Sequence, residues 1–210
     1  MSDAMIWNIL NRNLFFVKNA VRASEAKTSD KLDVYDPQTG SLLLECREPD
    51  IGMLTKLGRL FGGRHDRGTP FNLVALIPDN GPQVLRAARG SATLTFGGPA
   101  IAISDHHDEL LGSLKRKPMA LGRKFNFSPK KDGDSFVLDV KSNFFGGDRE
   151  LFISEKKVAA LARDWRADHA DYFQKEVFAY AFSISPEVPQ NNRVRQILLA
   201  FAVAQHRVDI

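Results

Sequence analysis

The sequence has little cysteine and no long hydrophobic run. Cys46 is the only cysteine among 210 residues, so an intramolecular disulfide framework is excluded and a reducing compartment is favoured. The longest apolar run, Ile197 to Ala204, has eight residues, whereas a membrane-spanning helix needs about 20. These absences predict a cytoplasmic protein without a transmembrane segment.

Sequence motifs that are typical of common enzyme classes are also absent. The chain contains no Gly-x-Gly-x-x-Gly or Walker-type phosphate loop and no Gly-x-Ser-x-Gly nucleophile turn. Cys46 lies mid-strand between Glu45 and Arg47, where no helix N-terminus lowers a thiol pKa, so a buried small hydrophobe is favoured over a nucleophile. We therefore predict no enzymatic activity and no cofactor.

The histidines give no clear metal motif. His106 and His107 lie in an acidic segment, Asp105 to Glu109, but adjacent residues of a strand point to opposite faces. The nearest other histidines, His65 and His169, have no ligand spacing around them. A polar loop is the favoured interpretation, and no bound metal is expected.

The composition is that of an ordinary globular chain. Hydrophobic residues make up 43% and charged residues 26%, and the length suits a single domain over residues 1–210. The 15 phenylalanines, against 3 tyrosines and 2 tryptophans, indicate a dense core built from β-structure. A net charge of +4 favours anionic partners without naming one.

Turn signals between apolar stretches predict a series of hairpins. Pro37 to Gly40 separates two strands, and Pro78 to Pro82 separates two more. The segment Lys130 to Asp134 joins a third pair, Lys124–Ser128 and Phe136–Val140. Strands at this density predict a barrel or a sandwich.

Three segments depart from this rhythm. Residues 192–208 predict a C-terminal helix, capped by Asn191 or Asn192 and apolar on every side, which must be enclosed by protein. Residues 155–173 carry weak helical spacing but fit a strand as well. Residues 1–12 form an N-terminal arm, irregular or helical.

Several stretches in order resemble the superfamily of tubby C-terminal domains, phospholipid scramblases and plant LURP-one-related proteins, over roughly residues 13–210. The stretches are Phe15-Phe16-Val17-Lys18, Tyr35-Asp36-Pro37-Gln38-Thr39-Gly40, Leu43 to Glu48, Leu111 to Arg116 and Val158 to Trp165. The resemblance implies a mainly β fold, in which a closed antiparallel barrel of about twelve strands surrounds a hydrophobic C-terminal helix. It also implies that Val158 to Trp165 is a strand.

Some scramblase features are missing from this sequence. A proline-rich N-terminal arm and a cysteine cluster suitable for palmitoylation are absent. The acidic loop proposed as a calcium site in scramblases has no counterpart before the final helix, where Ser185 to Pro189 offers only Glu187. The resemblance therefore implies the fold and a lipid ligand more than calcium-activated lipid transport.

A basic stretch, residues 111–131, is the main functional candidate. It contains no acidic residue, and like charges kept together favour an anionic partner. The alternative is a set of solvated strand edges protected by lysine. The predicted headgroup-binding residues are Lys115, Arg116, Lys117, Arg123, Lys124, Lys130 and Lys131.

A second basic segment, residues 51–67, combines helically spaced apolar residues with cations. Such a helix can lie on a membrane surface or cover one end of a barrel. Its candidate membrane-facing residues are Lys56, Arg59, Arg64 and Arg67.

These observations predict non-enzymatic binding of anionic phospholipid or phosphoinositide headgroups, with the protein cytoplasmic or peripheral at a membrane. The alternative is a regulatory or interaction module that binds proteins or nucleic acid, with Phe125 and Phe127 stacking on bases. The fold by itself does not decide between them.

Overall fold

A computed structural model describes residues 3–19, 31–49, 70–90, 100–117, 123–131, 133–142, 148–163 and 179–205. Twelve antiparallel strands follow each other around one closed barrel, and β12 pairs with β1 to close it. The predicted fold class, mainly β with a closed barrel and a C-terminal helix, is confirmed.

Each strand pairs with its neighbours in the sequence, so the barrel is an up-and-down meander. The strands are β1 Leu14–Asn19, β2 Lys31–Tyr35, β3 Leu42–Arg47, β4 Phe71–Leu76, β5 Gln83–Arg89, β6 Ile101–Ser104, β7 Leu110–Arg116, β8 Arg123–Pro129, β9 Phe136–Ser142, β10 Arg149–Ile153, β11 Lys156–Arg163 and β12 Ala179–Ile184. The strand interpretation of Val158 to Trp165 is thus confirmed as far as Arg163; residues 164–178 lie outside the described residues.

The predicted hairpin turns form where the sequence places breakers. In the β2–β3 turn the Asp36 carboxylate accepts the backbone N–H of Gln38 at 2.9 Å, and Gly40 has a positive φ of 70°, which costs glycine little. In the β4–β5 turn Asp79 and Asn80 have φ of 61° and 58°, a region that these two residue types tolerate best after glycine.

The described residues also form two helices. The N-terminal arm is helical as α1, Asp3–Leu10, and the C-terminal helix α2 is Arg193–Ala204. Asn192 caps α2, since its side chain accepts the Val194 N–H at 2.8 Å. Within the described part of the chain, neither helix is long and apolar enough to cross a membrane.

Helix α2 fills the barrel. Its residues from Arg195 to Ala204 are all buried, so every side of the helix meets the inner face of the barrel wall. The Phe201 ring packs edge-on against Phe125 of β8, with ring centroids 5.4 Å apart. At the same end of α2, the Tyr180 hydroxyl of β12 donates to the Ala202 carbonyl at 2.6 Å.

Arg195 fastens the beginning of α2 to the rest of the chain. It is 1% exposed, and its guanidinium donates at 2.6–3.3 Å to oxygen atoms of two separate segments. These acceptors are the carbonyls of Val188, Pro189, Leu10 and Arg12 and the side chain of Asn13. Burial lowers the pKa of Arg195. The neutral oxygen acceptors replace the water molecules that the guanidinium loses on burial.

A charge in the middle of α2 should prevent folding. Leu199 is fully buried, and Leu199→Asp would place a carboxylate in an apolar core with no partner. We expect insoluble protein or loss of the cooperative thermal transition, measured by circular dichroism. Arg193→Asp on the exposed first turn is the control, since an acid near a helix N-terminus is tolerated. A folded Leu199→Asp variant with unchanged Tm would contradict the central-helix packing.

Removing the Arg195 guanidinium should be costly. Arg195→Ala leaves several buried carbonyls without donors, and we expect a loss of about 2–4 kcal/mol in the free energy of unfolding, measured in urea. Arg193→Ala, two residues earlier and exposed, should change stability by about 0.5 kcal/mol or less. Equal losses in the two variants would rule out the fastening role of Arg195.

Candidate anionic-ligand site

Five of the seven predicted basic residues meet at one end of the barrel. Strand β7 ends with Lys115 and Arg116, and Lys117 follows it. Arg123 and Lys124 begin its antiparallel partner β8. The two strands remain paired here, because the Lys117 N–H donates to the Lys124 carbonyl at 2.8 Å. The hairpin therefore gathers charges that lie up to nine positions apart in the sequence.

The other two predicted residues lie at the opposite end. Lys130 and Lys131 follow the last residue of β8, whose seven residues span about 20 Å. Lys131 forms an ion pair with Glu109 at 3.2 Å. The seven residues therefore do not form one surface, since β8 separates two of them from the other five. Headgroup binding by these residues stays a prediction.

Arg149 also belongs to this group, although no pattern in the sequence selects it. It begins β10 on the inward-facing side of the wall, as Arg123 does on β8. Burial lowers the pKa of Arg149, and the positive charge of Arg123 lowers it further. Its guanidinium donates to the Gln205 side chain beyond the last turn of α2. We call Lys115, Arg116, Lys117, Arg123, Lys124 and Arg149 the basic rim.

The basic rim is only partly neutralised by the protein. Lys124 forms an ion pair with Asp139 at 3.4 Å. Lys115, Arg116 and Lys117 are exposed, and among the described residues none of the three has a carboxylate within ion-pair distance. The rim thus presents three adjacent unpaired cations beside the half-buried Arg123 and Arg149.

The described hairpin turns at the end opposite the basic rim carry several acidic residues. These residues are Asp36, Asp79, Asp105, Asp108, Glu109, Asp134 and Glu155. Three of them are paired with cations: Asp36 with Arg12, Asp108 with Arg86 and Glu109 with Lys131. The exposed Lys130 and Lys156 lie at the same end.

Phe125 and Phe127 are not available for base stacking. They are 2% and 4% exposed, because alternate residues of β8 point into the barrel. Phe127 stacks on Phe136 with centroids 4.8 Å apart. The idea that these two rings stack on bases is wrong, and the basic rim has no aromatic platform among its described residues.

The single cysteine is inaccessible to solvent. Cys46 is fully buried in β3, and burial raises the pKa of its thiol to about 12. A thiolate at neutral pH is therefore scarce, as the interpretation of Cys46 as a small hydrophobe requires.

The two adjacent histidines do not lie on a strand. His106 and His107 form the turn between β6 and β7, and their ring centroids are 4.0 Å apart. The favoured interpretation of this segment as a polar loop agrees with the turn, and the alternation of side chains along a strand does not apply to these two rings.

A cleft of about 390 Å³ opens at the acidic end, between the β7–β9 wall and the start of α2. Its lining is mostly apolar, with Asp134 and Arg193 as its charged residues. It lies at the far end of the strands from the basic rim. The predicted membrane-facing residues Lys56, Arg59, Arg64 and Arg67 lie outside the described residues.

Comparison with protein-family models, with curated proteins and with solved structures finds no match for this chain. The tubby, scramblase and LURP-one-related resemblance therefore stays a prediction.

Cys46 should be unreactive in the folded protein. A buried thiol whose pKa is about 12 offers almost no thiolate at pH 8, so modification by Ellman's reagent should require unfolding. We expect the native reaction to be at least about a thousandfold slower than in 6 M guanidinium, followed by absorbance. Rapid native modification would show that β3 is open to solvent.

Proposed function

We propose that the protein binds anionic phospholipid or phosphoinositide headgroups non-enzymatically at a membrane surface, through the basic rim. The observation that carries this proposal is the adjacent and exposed set Lys115, Arg116 and Lys117, none of which forms an ion pair with another described residue. These three cations lie within one short segment, and a phosphate-bearing surface offers them charge-assisted hydrogen bonds.

The half-buried arginines add specificity to this site. Arg123 and Arg149 lie close enough for one to lower the pKa of the other, so the space beside them favours an anion. A guanidinium binds phosphate oxygens in a fork, whereas the lysines act as mobile point charges. A headgroup with an accessible phosphate suits this mixture better than a diffuse negative surface alone.

The burial of the aromatic rings beside the basic rim favours a membrane over nucleic acid. With Phe125 and Phe127 buried, nucleic acid lacks the stacking platform that would favour it.

Removing the exposed cations should abolish most of the membrane affinity. Each basic residue near an anionic surface contributes roughly 1 kcal/mol, so Lys115→Ala, Arg116→Ala, Lys117→Ala together should weaken binding on the order of a hundredfold. The measurement is sedimentation with phosphatidylcholine vesicles that contain phosphatidylserine and phosphatidylinositol 4,5-bisphosphate. Pure phosphatidylcholine vesicles should not bind, and raising the salt should weaken binding, since the Debye length is about 8 Å at 0.15 M.

The matched control removes the same charge from the opposite end. Lys130→Ala, Lys131→Ala, Lys156→Ala also alters three exposed cations, and it should leave vesicle binding within about threefold of the wild type. Equal losses in the two triple variants would indicate an effect of net charge alone. Binding to duplex DNA or RNA without vesicle binding would support the nucleic-acid alternative instead.

A further inference from the structure

Three potential metal ligands meet at the acidic end of the barrel. His106 and His107 lie in the β6–β7 turn, and Asp3 is the first residue of α1. One ligand atom from each of the three side chains lies within 4.8 Å of the others. The cluster therefore joins two elements that are about a hundred residues apart in the chain.

His106 lacks the partners that a buried imidazole needs. Its side chain is 11% exposed, and both ring nitrogens are inaccessible to solvent, with no hydrogen-bond partner among the described residues. An imidazole always carries at least one donor, and a buried polar group without a partner is destabilising. The His106 imidazole is therefore placed to bind a group that the described residues do not supply.

The geometry suits a shared cation better than a direct hydrogen bond. Nε2 of His106 and Oδ1 of Asp3 are 3.5 Å apart, which exceeds the usual N–H···O range of about 2.7–3.2 Å. Two ligands bound tetrahedrally to zinc at about 2.1 Å are separated by about 3.4 Å. The observed separation therefore matches one edge of a tetrahedral site.

The neighbouring carboxylates are already engaged, and they hold the turn in place. The Asp105 carboxylate accepts the backbone N–H groups of His107 and Glu109 at 2.9 and 3.0 Å. Asp108 accepts two hydrogen bonds from Arg86, both at 2.9 Å, and Glu109 pairs with Lys131. Asp3 is consequently the carboxylate that remains for the histidines.

We propose that Asp3, His106 and His107 bind one divalent transition-metal ion, Zn²⁺ being the ion that this ligand set and spacing fit best. Two imidazoles and a carboxylate are common zinc ligands, and water would complete the tetrahedron. The ion would fasten α1 to the β6–β7 turn and give His106 its missing partner. This proposal replaces the sequence-based expectation that the histidines bind no metal, and it is independent of the basic rim at the other end.

Zinc should stabilise the full chain after chelator treatment. Protein freed of metal with EDTA and dialysed is titrated with ZnCl₂ by calorimetry, and its Tm is measured with and without zinc. One equivalent should bind, and a zinc concentration a hundredfold above Kd should raise Tm by about 5–10 °C. MgCl₂ should have no such effect, because Mg²⁺ prefers oxygen ligands. Co²⁺ in place of zinc should give the visible absorption of a tetrahedral ion.

The exposed ligands allow a test that does not depend on the buried one. Asp3→Asn and His107→Ala should each weaken zinc binding at least about tenfold and reduce the rise in Tm, while their metal-free Tm stays near that of the wild type. Asp79→Asn, an exposed acid in the β4–β5 turn, is the control and should bind zinc normally. No zinc-dependent rise in Tm, or equal binding by all variants, would overturn the proposal.

Discussion

The interior of a closed twelve-strand barrel has to be filled. A barrel of eight strands is just wide enough for its own side chains to fill, and the diameter grows with strand number. Here an α-helix, about 10 Å across with its side chains, occupies the additional space. This requirement explains why α2 is apolar on all sides and why its polar contacts lie near its ends, at Arg195 and beyond Ala204.

The filled interior determines where a ligand can bind. Because α2 occupies the centre of the barrel, the described cavities and charged clusters lie at the ends or on the outer wall. The two ends then carry different chemistry: cations beside the last turn of α2, and acidic turns with a histidine pair beside its first turn. Functions proposed for one end can be tested without disturbing the other.

Local sequence signals predicted the strands and turns well, because each hairpin depends on residues that are neighbours in the chain. The turn at Pro37 to Gly40 and the Asn192 cap are examples. The positions of side chains around the barrel were less predictable. Arg149 joins Arg123 only through the register of β8, β9 and β10, and Asp3 reaches His106 only through the packing of α1. No local pattern in the sequence predicts that Arg149 lies near Arg123 or that Asp3 lies near His106.

Two features of the basic stretch have a common physical origin in the meander. Antiparallel strands place alternate connections at opposite ends of the barrel, so a basic stretch that covers a hairpin and the next turn must be divided between the two ends. Lys124 and Lys130 are six positions apart and lie about 20 Å apart for this reason. The same alternation turns Phe125 and Phe127 inward, whereas Asn126 and Ser128 are exposed. In a chain of this topology, charges lie close together in space when they are at the joined ends of paired strands. Charges several positions apart on one strand lie far apart in space.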